Sequence, residues 1–396
     1  MPATASRSLI SLAMPPGEEF VAALDSAWAA GHAVLPLDPT APPPARDALR
    51  AAMSPDQPAA DDVALVIATS GSTGEPKGVE LTHAALEAAN LAVHNRIGHQ
   101  PDDVWLSCLP WHHVGGLQVM LRARRLGIPL VVHERFEVSR FAAAEATLTS
   151  LVPAQLVTLL DEGVDLTRFR VVLLGGGAAS EDLLERARDA RVPFVTTYGM
   201  SETAGGCVYD GIPLDGVEVA IRPDGRIALR GPMLMSGYRL RPDLTQAAFE
   251  DGWLVTNDLG RLDEDGRLRV LSRVDDVIVS GGENVVAGEV ARELRRHAAI
   301  ADAEVVGVPD RRWGDRVVAV VVSRVEPAPS LAELREWCRA ALPAAALPRG
   351  VVVVAAMPRL SSGKPDRLAL RRLAAAAAAD QEEAPTSQAA SPASSR

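Results

Sequence analysis

The sequence predicts an α/β protein: a large N-terminal domain with a layered α/β core and a β-rich part, then a small α+β domain. Three observations predict it. Short apolar runs such as Val63–Ala68 and Arg170–Leu174 alternate with longer helical segments, the pattern of strands and helices in layers. From Val217 to Val279 the pattern changes to short strands broken by turn sequences, Pro223-Asp224-Gly225 and Asp263-Glu264-Asp265-Gly266, which read as hairpins. Beyond Arg273–Asp276 the character changes again, over a length of about 100 residues that folds alone.

The elements follow in order. Glu18–Ala30, rich in alanine, predicts a helix, and Ala33–Leu37 a strand. Pro39–Pro44 breaks regular structure. Val63–Ala68 is a strong strand signal, followed by a Gly-rich turn. Thr82–His94 has helical character, with Thr82 as N-cap. Val104–Leu109, Pro129–His133 and Arg170–Leu174 read as strands, Phe141–Leu148 and Glu181–Ala190 as helices. In the small domain the expectation is helix at Glu289–Arg296, strand at Ala303–Val308, strand at Val317–Val322, helix at Leu331–Ala341 and strand at Val351–Ala355. Domain boundaries are expected at 1–274 and 275–372. An alanine run follows Arg372, then a tail rich in Ala, Ser, Pro, Gln and Glu, so 373–396 is expected to be disordered.

Composition limits the function classes. The 396 residues carry a net charge of −11. That excludes a protein built for sequence-independent nucleic-acid binding, which depends on phosphate neutralisation. The three cysteines are far apart and form no CxxC, so neither a disulfide framework nor a zinc site is expected, and a reducing cytoplasm fits. No stretch reads as a signal peptide or a membrane span.

Five segments carry candidate chemistry. Thr69-Ser70-Gly71-Ser72-Thr73-Gly74-Glu75-Pro76-Lys77-Gly78 is placed after a strand and before a helix. Glycines let backbone N–H groups converge, and hydroxyls and Lys77 add donors, which makes a nest for phosphate oxygens. It is not the GxxxxGK[ST] loop, because no Ser or Thr follows the lysine. A flexible Ser/Gly loop is the plain alternative. Tyr198-Gly199-Met200-Ser201-Glu202-Thr203 offers an aromatic ring that can stack on a base and a carboxylate that can hold Mg²⁺ between phosphates. Gly175-Gly176-Gly177 closes a strand and allows close backbone approach to a ligand, or is a turn. Asp258 can accept hydrogen bonds from two ribose hydroxyls, and Arg273 can do the complementary work or reach phosphate. Lys364, in Ser361-Ser362-Gly363-Lys364, would stabilise charge developing on an attacked phosphate if brought there.

These five segments, in this order, resemble the acyl-adenylate-forming (AMP-dependent synthetase and ligase) superfamily over roughly Val63 to Arg372. The resemblance implies an ATP-dependent acid–CoA ligase with a mobile C-terminal domain, using ATP and Mg²⁺ with CoA as co-substrate. It implies that Thr69, Ser70, Gly71, Ser72, Thr73, Gly74 and Lys77 hold phosphates. Gly175, Gly176, Gly177, Tyr198 and Gly199 would wall the adenine and acyl pockets. Ser201 matches a phosphate-contacting hydroxyl, more often Thr in the family, and Glu202 the metal-associated glutamate. Asp258 and Arg273 match the ribose ligand and its neighbour, Lys364 the adenylation lysine, and His113 the residue gating the acyl pocket. Asp275 falls at the hinge, and Gly281, Gly282 and Glu283 in the segment presented for the thiol step.

Typical members carry a longer stretch before the phosphate loop, so the resemblance implies a trimmed N-terminal part. The stretch Tyr198–Val217 further resembles the short 2-succinylbenzoate–CoA ligases of actinobacteria, enzymes of menaquinone biosynthesis. The abundance of Ala and Arg and the scarcity of Lys suit a high-GC bacterium. Two alternatives stay open: a ligase for another aryl or acyl acid, and a free-standing enzyme loading a carrier protein. Arg122, Arg124 and Arg125 read as surface arginines of a helix and are not assigned. A small-molecule acid, ATP and CoA are the expected partners, with no nucleic acid or membrane insertion; a homodimer is the default.

Overall fold

The computed structural model describes residues 7–60, 62–70, 75–359 and 365–383. The chain divides into two compact units, Met1–Val270 and Leu271–Arg396. The expectation had placed that division at 274/275.

In the first unit a five-stranded sheet is ordered Leu9–Leu12, Ala33–Pro36, Val63–Ser70, Pro76–Thr82 and Gly237–Tyr238. A seven-stranded sheet has a parallel core, with Trp105–Ser107, Leu148–Leu151, Val171–Leu174 and Phe194–Met200 as consecutive neighbours. Antiparallel Gly205–Tyr209 extends it. One apolar cluster joins the two sheets through helices His83–Ile97 and Val114–Leu126, with Trp105 and Trp111 fully enclosed. A second cluster packs helices Val138–Ala143, Pro153–Asp161 and Glu181–Asp189 on the seven-stranded sheet. Near-continuous Val/Leu runs such as Val171–Leu174 suit strands covered on both faces.

Thr82 caps its helix as expected: its hydroxyl accepts from the Ala85 N–H at 3.0 Å. The hairpins of the β-rich part are present, Glu218–Ile221 pairing antiparallel with Arg226–Arg230. Their turns place Gly225 at φ +82° and Gly266 at φ +78°, where glycine costs nothing.

Two expectations are corrected. Phe141–Leu148 is not one helix: Val138–Ala143 is helical, the chain leaves the helix at Ala144, and Leu148 opens the strand Leu148–Leu151. The stretch from 373, expected to be disordered, is helical as far as Glu383, within helix Arg367–Glu383. Alanine is the strongest helix former, and Leu370 and Ala374 are fully buried against the second unit's sheet. Residues 384–396 lie outside the described residues. The second unit is otherwise α+β as expected, with Ile300–Asp310 and Gly314–Ser323 forming its long central hairpin. Among the described residues no helix is long and apolar enough to cross a membrane.

Candidate active site

The phosphate-loop candidate is mounted on a hairpin. Val63–Ser70 pairs antiparallel with Pro76–Thr82, placing Thr69 opposite Lys77 and Ser70 opposite Pro76. The Thr69 hydroxyl donates to the Lys77 carbonyl at 3.3 Å. Gly71, Ser72, Thr73 and Gly74 lie outside the described residues. Both described ends of the motif are therefore strands, and its helix follows the second of them; Lys77–Thr82 shows the half-buried pattern of a strand. Gly78 is a packing glycine, since a Cβ there would come within 2.8 Å of Met53 Sδ and Val66 Cγ1. Lys77 Nζ sits 5.4 Å from the centroid of the Tyr238 ring. Lys77 and Lys364 are the only two lysines in the chain.

Tyr198 and Asp258 come from different sheets and meet. Tyr198 donates its hydroxyl to Asp258 Oδ2 at 2.9 Å. Burial, then the neighbouring Asp258 carboxylate, pushes the phenol far above its ordinary range, so it stays a protonated donor. Asp258 is held in turn: its N–H donates to Thr256 Oγ1 at 3.1 Å, and the Thr256 hydroxyl donates to the Ile227 carbonyl at 2.9 Å. The three glycines differ in what they need. A Cβ at Gly175 would run into Thr197 Oγ1, Gly176 requires its φ of +76°, and Gly177 faces open space. Gly199 is required by packing, because a Cβ would run into the Gly205 carbonyl.

Ser201 and Glu202 occupy a single 3₁₀ turn, Ser201–Thr203. Buried Thr203 ties its ends, accepting from the Met200 N–H at 2.9 Å and donating to the Gly205 carbonyl at 2.6 Å. Glu202 Oε1 accepts from the Tyr238 hydroxyl at 2.9 Å. Among the described residues no cluster of three or more His, Cys, Asp or Glu is arranged to hold a metal. One half-buried carboxylate, Glu202, which shares Tyr238 as a contact with Lys77, nevertheless fits Mg²⁺, which keeps waters and takes one or two carboxylates together with substrate phosphates.

His113 precedes helix Val114–Leu126 and packs against His112, ring centroids 4.3 Å apart and planes tilted by 51°. Burial holds His112 below its ordinary range, against an opposing pull from Asp38, 4.0 Å away. On the same helix Gln118 donates to the Ala204 carbonyl at 2.7 Å, tying the helix to the segment after Glu202. Arg124 and Arg125 are surface arginines, paired with Asp25 at 2.7 Å and Glu87 at 2.6 Å. Arg122 is not: it is buried over the Trp105 ring, and its Nε and Nη1 have no partner among the described residues. Spacing carried no signal for it, because all eight positions from Gly116 to Ala123 are buried and no single face stands out.

Tyr238 was also missed by sequence reasoning. The chain has only three tyrosines, and two of them, Tyr198 and Tyr238, give their hydroxyls to site carboxylates.

In the second unit Arg273 is exposed, its Nη2 3.6 Å from Asp275 Oδ2. Asp275 is exposed in the 3₁₀ turn Val274–Asp276. Gly281 and Gly282, at φ +64° and +83°, turn the hairpin between Val277–Ser280 and Glu283–Val286. Both glycines and Glu283 are exposed, and the Gly281 N–H donates to the Trp313 carbonyl at 2.8 Å. Lys364 lies outside the described residues; Arg359 and Pro365 bridge on either side of it.

The family model of AMP-binding enzymes matches residues 44–239, and that of the AMP-binding enzyme C-terminal domain matches 273–364. The chain belongs to the AMP-binding enzyme family. Relatives of this AMP-binding enzyme include a probable 2-succinylbenzoate–CoA ligase of Mycobacterium tuberculosis, 43% identical over 327 residues, covering 79% of this chain and 85% of the relative. The o-succinylbenzoate CoA synthetase of Bacillus subtilis, solved with its acyl-adenylate intermediate, superposes with a TM-score of 0.82 at 28% identity, covering 93% of this chain and 89% of the other. The same synthetase solved with ATP and magnesium ion gives 0.80 at 28% identity and the same coverage.

Proposed function

We propose that this AMP-binding enzyme activates 2-succinylbenzoate with ATP and transfers the acyl group to CoA, in menaquinone biosynthesis in the cytoplasm. The observation that carries the reading is the high identity to a probable 2-succinylbenzoate–CoA ligase, shared over most of both chains. The pairing of Tyr198 with Asp258, and of Glu202 with Tyr238 beside Lys77, supports it with a set of donors and acceptors suited to a nucleotide.

Thr69, Ser70 and Lys77, with Gly71–Gly74, donate to the phosphates. Asp258, oriented by Tyr198, accepts from ribose hydroxyls, and Gly175–Gly177, Tyr198 and Gly199 flank the adenine. Glu202 would hold Mg²⁺, which when bound neutralises phosphate charge; Ser201 contacts the phosphate. His113 gates the acid. A carboxylate oxygen of the acid bonds to the α-phosphorus, and the bond to pyrophosphate breaks. Lys364 stabilises the added negative charge. In the second half-reaction the small domain turns at Asp275, and Gly281–Glu283 line the path of the thiol. Sulfur bonds to the acyl carbon, AMP leaves, and the thiol proton passes to solvent.

The test is mass spectrometry of products from the purified enzyme with MgATP, CoA and a panel of acids: 2-succinylbenzoate, benzoate, fatty acids and amino acids. The expected result is 2-succinylbenzoyl-CoA with AMP and pyrophosphate, formed well above the other acids. A different preferred acid would overturn the substrate, and adenylate without any CoA ester would move the enzyme to carrier loading.

A further inference from the structure

Tyr238 stands between the basic and the acidic member of the phosphate site. Its hydroxyl donates to Glu202 Oε1 at 2.9 Å, and the face of its ring lies under Lys77 Nζ at 5.4 Å. Among the described residues no carboxylate is within ion-pair distance of Lys77, and Tyr238 is the only hydrogen-bonding partner of the Glu202 side chain. Left alone, a lysine and a glutamate this close to one tyrosine would have a direct ion pair open to them, which would withdraw both from a ligand.

The tyrosine is held rigidly enough to act as a spacer. Its strand, Gly237–Tyr238, pairs with the strand that carries Lys77, with Tyr238 opposite Val79. Lys77 is then the diagonal neighbour on the same face, within reach of a long side chain. The Tyr238 N–H donates to Thr245 Oγ1 at 2.9 Å. The next residue, Arg239, is buried, and its guanidinium donates to the carbonyls of Met53 at 2.7 Å and Ser54 at 2.9 Å. Glu202 is anchored by its own backbone, whose carbonyl accepts from the Met235 N–H at 2.8 Å.

We propose that Tyr238 is a positioning residue that keeps Lys77 and Glu202 apart, its ring carrying the cation and its hydroxyl orienting the carboxylate toward magnesium. The proposal rests on the reading of this site as one for MgATP.

The test is calorimetric binding of ATP to the full chain, with Mg²⁺ titrated and with metal removed by chelation. Tyr238→Phe keeps the ring and removes the hydroxyl. It is expected to raise the Mg²⁺ concentration needed for tight ATP binding by about tenfold, the scale of one hydrogen bond to a charged group, while metal-free ATP binding is unchanged. Tyr238→Leu removes both contacts and is expected to weaken metal-free binding as well. In a Lys77→Met background the Mg²⁺ defect of Tyr238→Leu should shrink, because no lysine is left to pair with Glu202. An unchanged Mg²⁺ requirement in Tyr238→Phe overturns the proposal, as does an equal loss of binding with and without metal. A defect in Tyr238→Leu that is the same with and without Lys77 also overturns it. If the native enzyme binds ATP with no dependence on Mg²⁺, the MgATP reading of the site falls with it; failure in Tyr238→Phe alone leaves that reading standing.

Discussion

Tyr198 shows how far single residues were legible. An aromatic in a Tyr-Gly-x-Ser-Glu run suggests a base to stack on, but not that its hydroxyl is committed to Asp258, 60 positions away. Long-range partners of this kind depend on strand register, which no local pattern reports. Tyr198→Phe is expected to raise KM for ATP about tenfold, the cost of one hydrogen bond to a carboxylate, with little change in kcat; pyrophosphate exchange measures it. Gly199→Ala should be far worse, because its Cβ would meet the Gly205 backbone, which has no rotamer to move. His99 supplies a pH dependence. Burial first, then His94 and Arg122, lower its pKa to about 4, and it accepts from Trp105 Nε1 at 3.1 Å. Its stabilising contribution is complete above the unfolded value near 6.5, where both states are neutral. It is lost as pH falls toward 4, because the unfolded chain takes up the proton first. Melting temperature should therefore drop across that window, and His99→Gln should flatten the fall.

At the scale of elements, amphipathic and capped segments were readable, and helix Glu181–Asp189 begins at Ser180, whose hydroxyl accepts from Leu183 N–H at 3.2 Å. Elements buried on every side were harder. Helix Val114–Leu126 has eight consecutive buried positions from Gly116, so its apolar stripe is blurred, and Arg122 read as a surface arginine along with Arg124 and Arg125. Helix Arg367–Glu383 was obscured by composition, an alanine run reading equally as low complexity. Because Ala374 is fully buried, truncation after Arg372 should destabilise the small domain by about 1–3 kcal/mol. Truncation after Glu383 should not; urea melts of the two shortened chains decide it.

At the scale of the whole molecule, the order of motifs made the architecture legible, a large N-terminal domain followed by a small one; the sequence put the division at 274/275 and the coordinates put it at 270/271. A two-step reaction on one site predicts that its halves can be separated by mutation. Asp275→Pro, which stiffens the turn Val274–Asp276, should spare adenylate formation and slow CoA ester formation about tenfold or more. Lys364→Ala should do the reverse with supplied acyl-adenylate, and stopped half-reaction assays read both. The Lys77 ammonium over Tyr238 has one more consequence, drawn from what the rest of the chain lacks. Arginine does nearly all the basic work elsewhere, so a reagent that acylates primary amines finds two side chains and the α-amino group. Site occupancy can thus be read as a footprint in one tryptic map, with shielding of Lys77 by nucleotide reported against almost no background.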